Sequence, residues 1–201
     1  MSFRVLHVFG DRLTKKFAKP IEPMYASIGN GIPTGRQWTF EPKYDGVRVL
    51  AHVTSNAVAL ITRNGNDKAH QFPEIADALA QLARWTRRAF VVDGEIVALV
   101  KNAPARFQTL QGRMHLKGTT DIAREVTETP TALMLFDILV DGDDVLLNRP
   151  WAERRKRLQQ LVMRIKRPMR VRSNVVARRI RLTPSVRGNG KAMVHRARQD
   201  G

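Results

Sequence analysis

The stretch Glu41-Pro42-Lys43-Tyr44-Asp45-Gly46-Val47-Arg48-Val49-Leu50-Ala51-His52-Val53 runs from a charged turn into a β-branched, apolar segment. Val47 to Val53 and Val58 to Thr62 are two such segments, separated by the polar Thr54-Ser55-Asn56, and they predict a pair of antiparallel strands joined by a tight turn. Asn64-Gly65 then closes the second strand. The charged turn therefore stands at the head of a sheet, where side chains from several strand ends can converge.

Working outward, Pro73 to Trp85 places Ile75, Leu79, Leu82 and Trp85 at three- and four-residue steps, an amphipathic helix with proline in its first turn and Glu74 and Asp77 near the positive end of its dipole. Phe90 to Val92 and Ile96 to Val100 are apolar runs around Asp93-Gly94-Glu95, and Ala132 to Val140 is apolar except at Asp137; both regions read as buried strands. After the turn Asp141-Gly142, Asn148 is placed to cap a helix starting near Pro150, whose outer face is arginine and lysine. Pro20 to Pro33, with its glycines, reads as a lead-in. Strands grouped with intervening helices, without strict alternation, predict an α+β fold of antiparallel sheets with flanking helices rather than a doubly wound parallel sheet.

The chain of 201 residues is 43% hydrophobic, enough for a real core. Its 35 Lys plus Arg against 18 Asp plus Glu give +17, which points to a polyanionic partner, nucleic acid before acidic membrane. Residues 1–148 carry 18 basic and 16 acidic side chains, whereas 149–201 carry 17 basic and 2 acidic. That basic region reads either as a solvated arm or as folded elements facing a phosphate backbone. Absence of cysteine excludes a disulfide framework, a thiol nucleophile and thiolate zinc sites. No two of the five histidines stand at helical ligand spacing, so no protein-built metal site is expected. No stretch approaches the roughly 20 apolar residues that span a bilayer, and Met1 to Lys19 lacks a secretion-signal pattern. The expected location is the cytoplasm, with no membrane partner; the oligomeric state stays open.

The chemistry-bearing strings come in order: Lys43-Tyr44-Asp45-Gly46-Val47-Arg48, Thr62-Arg63-Asn64-Gly65, Asp93-Gly94-Glu95, and Leu135-Phe136-Asp137-Ile138-Leu139. Each alone has a plain reading: a surface turn with a routine ion pair, a turn glycine, a surface arginine, a core phenylalanine. Asp137 is not explained by burial, because a charge in a buried strand needs a partner.

Taken together, the strings resemble the covalent nucleotidyltransferases and, within them, the ATP-dependent DNA ligases of the bacterial end-joining type. Lys43, Asp45, Gly46 and Arg48 match the family's KxDG motif and following arginine. Asp93, Gly94 and Glu95 match its DGE at a strand end, and Phe136 and Asp137 match its aromatic-Asp strand. The resemblance spans roughly Ile21 to Gly201, with residues 1–19 a lead-in and 20–201 a partial adenylation domain. It implies the nucleotidyltransferase (ATP-grasp-like DNA ligase catalytic) fold.

The resemblance also implies a mechanism. Lys43 attacks the α-phosphate of ATP, pyrophosphate leaves, and AMP stays on the lysine; it then passes to the 5′-phosphate of nicked double-stranded DNA, and the 3′-hydroxyl displaces it. An amine of ordinary pKa about 10.4 attacks only when unprotonated, so its surroundings must favour the free base. Mg2+ (or Mn2+) would neutralise phosphate charge. Asp45 and Gly46 belong to the nucleotide-binding set at the nucleophile's turn, where a side chain on Gly46 would obstruct the nucleotide. Glu41 contacts the adenine. Arg48 and Arg63 hold ribose and phosphate through planar, charge-assisted pairs. Glu95 accepts from ribose hydroxyls or approaches the metal, Asp93 is structural, and Phe136 stacks on the adenine. Phe107 to Gln111 resembles a packing helix.

The family continues with an EG-type motif, a KxK motif and an OB-fold domain, none of which is in this sequence. The expectation is an incomplete ligase domain that adenylates slowly and seals nicks weakly or not at all, with end-joining repair proteins as possible partners. An RNA ligase or GTP-using capping enzyme, and a non-catalytic basic nucleic-acid-binding module, are the competing readings.

Overall fold

The computed structural model describes residues 21, 23–25, 27–29, 31–164 and 172–200. The lead-in proposed for residues 1–19 lies outside them. In chain order the described elements are β1 (Thr39–Phe40), β2 (Val47–Val53), β3 (Val58–Thr62), α1 (Pro73–Thr86), β4 (Phe90–Val100), β5 (Ala103–Pro104), α2 (Gln108–Gln111), a 3-10 turn (Gly112–His115) and α3 (Thr119–Glu128). Then follow β6 (Thr131–Asp141), β7 (Asp144–Val145), α4 (Trp151–Met163), α5 (Arg172–Arg179), β8 (Ile180–Leu182), β9 (Val186–Arg187) and α6 (Gly190–Asp200).

The predicted hairpin forms: β2 and β3 pair antiparallel from Val49↔Thr62 to Val53↔Val58. The Thr54 hydroxyl closes the turn by accepting from the Ala57 amide at 2.9 Å. Gly65 ends β3 at φ +76, a conformation that side chains resist. The main sheet runs β3-β2-β4-β6-β7, with β5 on β4 and β8 on β6. Every pairing is antiparallel except β6 with β8, which is parallel from Leu133↔Ile180 to Leu135↔Leu182. The sheet is therefore mixed at one position, because the chain returns through α4 and α5 before β8. Thr39–Phe40 pairs separately with Val186–Arg187, fixing the approach to Lys43 against the far end of the chain.

Asp93-Gly94-Glu95 does not stand at a strand end, as expected; it sits inside the eleven-residue β4. Gly94 is needed there because a Cβ would stand 2.9 Å from the Met134 carbonyl and from a Leu133 methyl on β6. One sheet face carries Val47, Val49, Ala51 and Val53 with Val92, Ile96, Leu133 and Leu135. It packs on Phe72, Ile75, Leu79 and Leu82 from α1 and its entry, and on Leu158, Leu161 and Val162 from α4. Each such side chain contributes about 1.5–3 kcal/mol on burial.

Three local expectations change. Helix α4 starts at Trp151 behind Pro150, with no side-chain cap, so Asn148 does not cap it. Its arginines are not an outer face: Arg155 is 4% exposed, Arg154 bonds Asp137 at 2.8 Å, and Arg157 reaches Asp141 and Asp144. The basic C-terminal region is folded through α4, α5 and α6 over the described residues, because its cations find carboxylates and carbonyls on the sheet. At the back of the fold, Arg113 is fully buried and links α1 to the 3-10 turn through Glu74 at 2.5 Å and the Gln71 carbonyl at 2.7 Å.

Candidate active site

The site arises where the period of two breaks. On β4, Val92 and Ile96 join the main core, which sends Asp93 and Glu95 to the opposite face. On β2 the same alternation sends Arg48, Leu50 and His52 there. On β6 the register passes from Asp93↔Asp137 to Gly94↔Leu135, so Phe136 has no partner on β4. A bulge of this kind re-aims a side chain: Phe136 joins Asp137 on the second face and lies under the Arg48 guanidinium, 5.3 Å from carbon to ring centre. A second shift leaves Leu139 unpaired, and it clusters on the same face as Val140, Leu50 and Val91.

Phe136 is thus not a core residue; it is the one half-buried position in a strand otherwise buried throughout. Asp137 needs no nucleotide to neutralise it, since Arg154 grips both its oxygens at 2.8–3.1 Å. Asp93 is structural, as its sequence reading has it: it holds Arg48 through two bonds of 3.1 and 2.7 Å. Burial raises the Asp93 pKa, with Arg48 opposing, and the bonded carboxylate raises that of Arg48. Arg48 is oriented by protein, held by Asp93 with its guanidinium over the Phe136 ring.

Glu95 is part-buried, and burial pushes its pKa up to about 6 against the favourable Gly46 amide, Lys43 and Arg48. Its Oε1 accepts the Gly46 amide proton at 3.1 Å, so the turn bearing the lysine is tied to β4. The reason for glycine at 46 differs from the one expected. A Cβ there would collide with the Ile96 carbonyl, so the obstruction is the neighbouring strand. Asp45 accepts from the Phe107 amide at 3.2 Å, so the segment assigned only to packing also anchors the turn.

Lys43 stands exposed at the mouth, beside an open cavity of about 410 Å³ that also touches Asp45, Arg106 and Met134. No carboxylate among the described residues pairs with its ammonium within 4 Å, although Glu95 is near enough to feel its charge. Arg63 is exposed and stacks on Tyr25, 4.6 Å from the ring centre, and Arg48 lies 5.9 Å from that same ring. Glu41 is set back from the mouth. Its Oε1 lies 3.1 Å from Arg155 Nη2, and burial raises its pKa despite that cation. The structure therefore gathers Arg48, Glu95 and Phe136 on one face, with Lys43, Asp45 and Gly46 at its edge, Arg63 reached through Tyr25, and Glu41 reached through Arg155.

Tyr25, Arg154 and Arg155 are the residues missed by sequence reading. Tyr25 sits in a segment without periodicity and gives no signal. Arg155 does give one: Trp151, Arg155, Leu158 and Val162 follow a single helical stripe, and a cation on an apolar stripe must be paired. The described residues hold no group of three His, Asp or Glu side chains able to form a metal cage, and no helix is long and apolar enough to cross a membrane.

A lysine-aspartate-glycine turn thus stands beside a bulged strand that carries an aromatic ring and paired carboxylates, and the class of protein in which this arrangement occurs is the ATP-dependent DNA ligases. The chain belongs to that family: residues 17–182 match the ATP dependent DNA ligase domain. It is 34% identical over 148 residues to the bifunctional non-homologous end joining protein LigD of Bacillus subtilis, covering 72% of this chain and 24% of that protein. Against DNA ligase C2 of Mycolicibacterium smegmatis it is 36% identical over 141 residues, 70% of this chain and 38% of the other. Among solved structures, the ligase domain of LigD from M. tuberculosis superposes with a TM-score of 0.67 at 26% identity, over 90% of this chain and 50% of that one. A mycobacterial DNA ligase D complexed with ATP and MES gives 0.67 at 25% identity, over 90% and 51%. The chain spans from 24% to 38% of these two curated relatives and about half of the two solved chains.

Proposed function

We propose that this chain is part of the adenylation domain of an ATP-dependent DNA ligase acting in DNA repair in the bacterial cytoplasm, at the nucleoid. The Lys43 amine, having lost its proton, attacks the α-phosphorus of ATP. The bond to the bridging oxygen breaks, pyrophosphate leaves, and a phosphoramidate joins lysine to AMP. In the full reaction the AMP moves to the 5′-phosphate of nicked duplex DNA, and the 3′-hydroxyl then displaces it. Supporting this reading is the placement of Lys43 at the edge of a face where Arg48, Glu95 and Phe136 converge, in a chain of this family.

The chain's residues divide the work. Phe136 offers an aromatic face for the base. Arg48, held by Asp93, presents a fixed cation to the ribose and phosphate side. Glu95 in its ionised form accepts from ribose hydroxyls, and Arg63 adds charge at the rim. A magnesium ion would be held chiefly by phosphate oxygens, with Glu95, which accepts from the Gly46 amide, a carboxylate beside the turn, and would neutralise phosphate charge. The buried oxygen of Glu41, which faces Arg155 but accepts no hydrogen bond, fits a ligand that brings a donor, as the amino group of adenine does.

Incubation with Mg2+ and α-labelled ATP, compared with labelled GTP, tests the reading. An acid-labile adduct specific for ATP, mapped by mass spectrometry to Lys43 and lost in Lys43→Ala, is the expected result. Labelling by GTP instead would move the chain to the capping type. Unchanged duplex binding with no adduct in either protein would make it a non-catalytic module. DNA binding is expected to weaken steeply with salt. End-joining proteins are the proposed partners, on the strength of the similarity to LigD.

A further inference from the structure

We propose that Arg155 is the positioning residue for the base. Its guanidinium joins the Phe136 bulge and the Glu41 carboxylate into one unit, so that ring and carboxylate meet the nucleotide in a fixed relation. The proposal rests on the ATP reading of the cleft and goes beyond it in assigning a residue from α4 that no nucleotide touches.

The geometry starts with the bulge. Phe136 lacks a partner on β4, and its carbonyl accepts from Arg155 Nη1 at 3.3 Å, with the Leu135 carbonyl at 3.5 Å from the same nitrogen. Arg155 Nη2 donates to the Thr183 carbonyl and stands 3.1 Å from Glu41 Oε1. A planar fork reaches these partners together; a single ammonium does not. The bulge is thereby held open by a side chain, and the cation holding it also holds Glu41.

What distinguishes this arginine from a structural one is the hydrogen bonding left over. Glu41 Oε1, Arg155 Nε and Thr183 Oγ1 are all buried without a hydrogen-bond partner. Arg155 Nε and Thr183 Oγ1 have no partner at all, at a cost of about 1–3 kcal/mol each, while Glu41 Oε1 keeps the Arg155 charge at 3.1 Å without an aligned hydrogen bond. Arg113, equally deep, spends Nε on the Gln71 carbonyl and Nη2 on Glu74, and no atom of Arg113 or Glu74 is left over. The Glu41 oxygen faces the Arg155 cation at 3.1 Å but receives no aligned hydrogen bond, so beside the ring-bearing bulge it suits a base whose edge donates. Adenine presents an amino group at the position where guanine presents a carbonyl, so the unit would favour adenine.

The test compares Arg155→Met, Arg155→Lys and, as a control for general destabilisation, Arg113→Met. Titration calorimetry gives ATP and GTP affinities, and carbon-13 NMR follows the Glu41 carboxyl in the nucleotide-free protein. Arg155→Met is expected to weaken ATP binding on the order of tenfold to a hundredfold, to bring the ATP:GTP preference toward one, and to raise the Glu41 titration point. That rise follows because Arg155 opposes both the burial and the Asp137 charge that face Glu41. Arg155→Lys, which secures a folded variant, is expected to restore the Glu41 titration but not the preference. Arg113→Met is expected to lower the melting temperature and leave preference and titration as in wild type. An unchanged ATP:GTP preference in Arg155→Met and Arg155→Lys, with wild type binding ATP, overturns the inference alone. So does a Glu41 titration that Arg155→Met leaves unmoved. Wild type binding neither nucleotide overturns the ATP reading and this inference with it.

Discussion

The two faces of the main sheet are drawn from the same strands and built on opposite principles. One face is aliphatic and aromatic, closed by α1 and α4; its residues alternate along β2 and step from Leu135 to Ile138 across the bulge of β6, and its glycine at 94 lets β4 and β6 approach. The other carries Arg48, Asp93, Glu95 and Asp137, and there the alternation breaks at Phe136 and again at Leu139. The first face gains by excluding water from surface that has no other use. On the second, Arg48 is bound to Asp93, Asp137 to Arg154 and Glu95 to the Gly46 amide before any ligand arrives, and the ring of Phe136 stays partly uncovered. Preorganisation of that kind costs stability and is kept where binding or chemistry needs fixed groups.

The sharpest way to break this comparison is to remove Lys43. Because it is exposed, Lys43→Ala is expected to abolish the AMP adduct in intact-mass spectra while leaving the thermal midpoint unchanged; a large loss of stability would mean that the turn belongs to the core. On the other face, Leu79→Ala, at a fully buried position, is expected to cost about 2–5 kcal/mol in urea unfolding. The folded fraction should still form the adduct.

The charged face also carries the acid response. Burial lowers the pKa of His52 to about 4 from 6.5. Between those values the unfolded chain takes up the proton and the native chain does not, so the contribution is complete above pH 6.5 and is lost as the pH falls toward 4. It amounts to about 3 kcal/mol. His52→Leu should flatten that part of the stability profile followed by circular dichroism. Glu95 has the opposite sign: its pKa of about 6 lies above the unfolded value, so its burial penalty grows as pH rises from about 4.5 to 6. Adduct formation should rise through pH 6 with Glu95 ionisation and lose that inflection in Glu95→Gln. The smallest effect belongs to the exposed helix pairs of Arg124 with Asp121 and Glu128. Arg124→Ala should change stability by less than about 0.5 kcal/mol and leave adduct formation untouched.

Much of this was legible from residue order. The hairpin from Val47 to Thr62, helix α1 and the strand of Phe136 follow from periodicity and turn chemistry, which are local. Lys43, Arg48, Glu95 and Phe136 were identifiable because four short strings kept their order. Placing Asp93-Gly94-Glu95 at a strand end understated β4, which runs through the triplet, since the partners of its polar side chains come from neighbouring elements. The arginines of α4 misread as solvent-facing, since composition registers charge and not the carboxylates that lie across the sheet.

Sequence by itself therefore determined the elements, the polarity of each strand face and the nucleophile's turn, because those depend on residues within a few positions of one another. Tertiary structure alone decided that Phe136 leaves the core, that Asp137 is neutralised by Arg154, and that Arg155 ties Glu41 to the bulge. Each of these depends on register between distant strands, and a shift of one residue in register changes which face a side chain occupies.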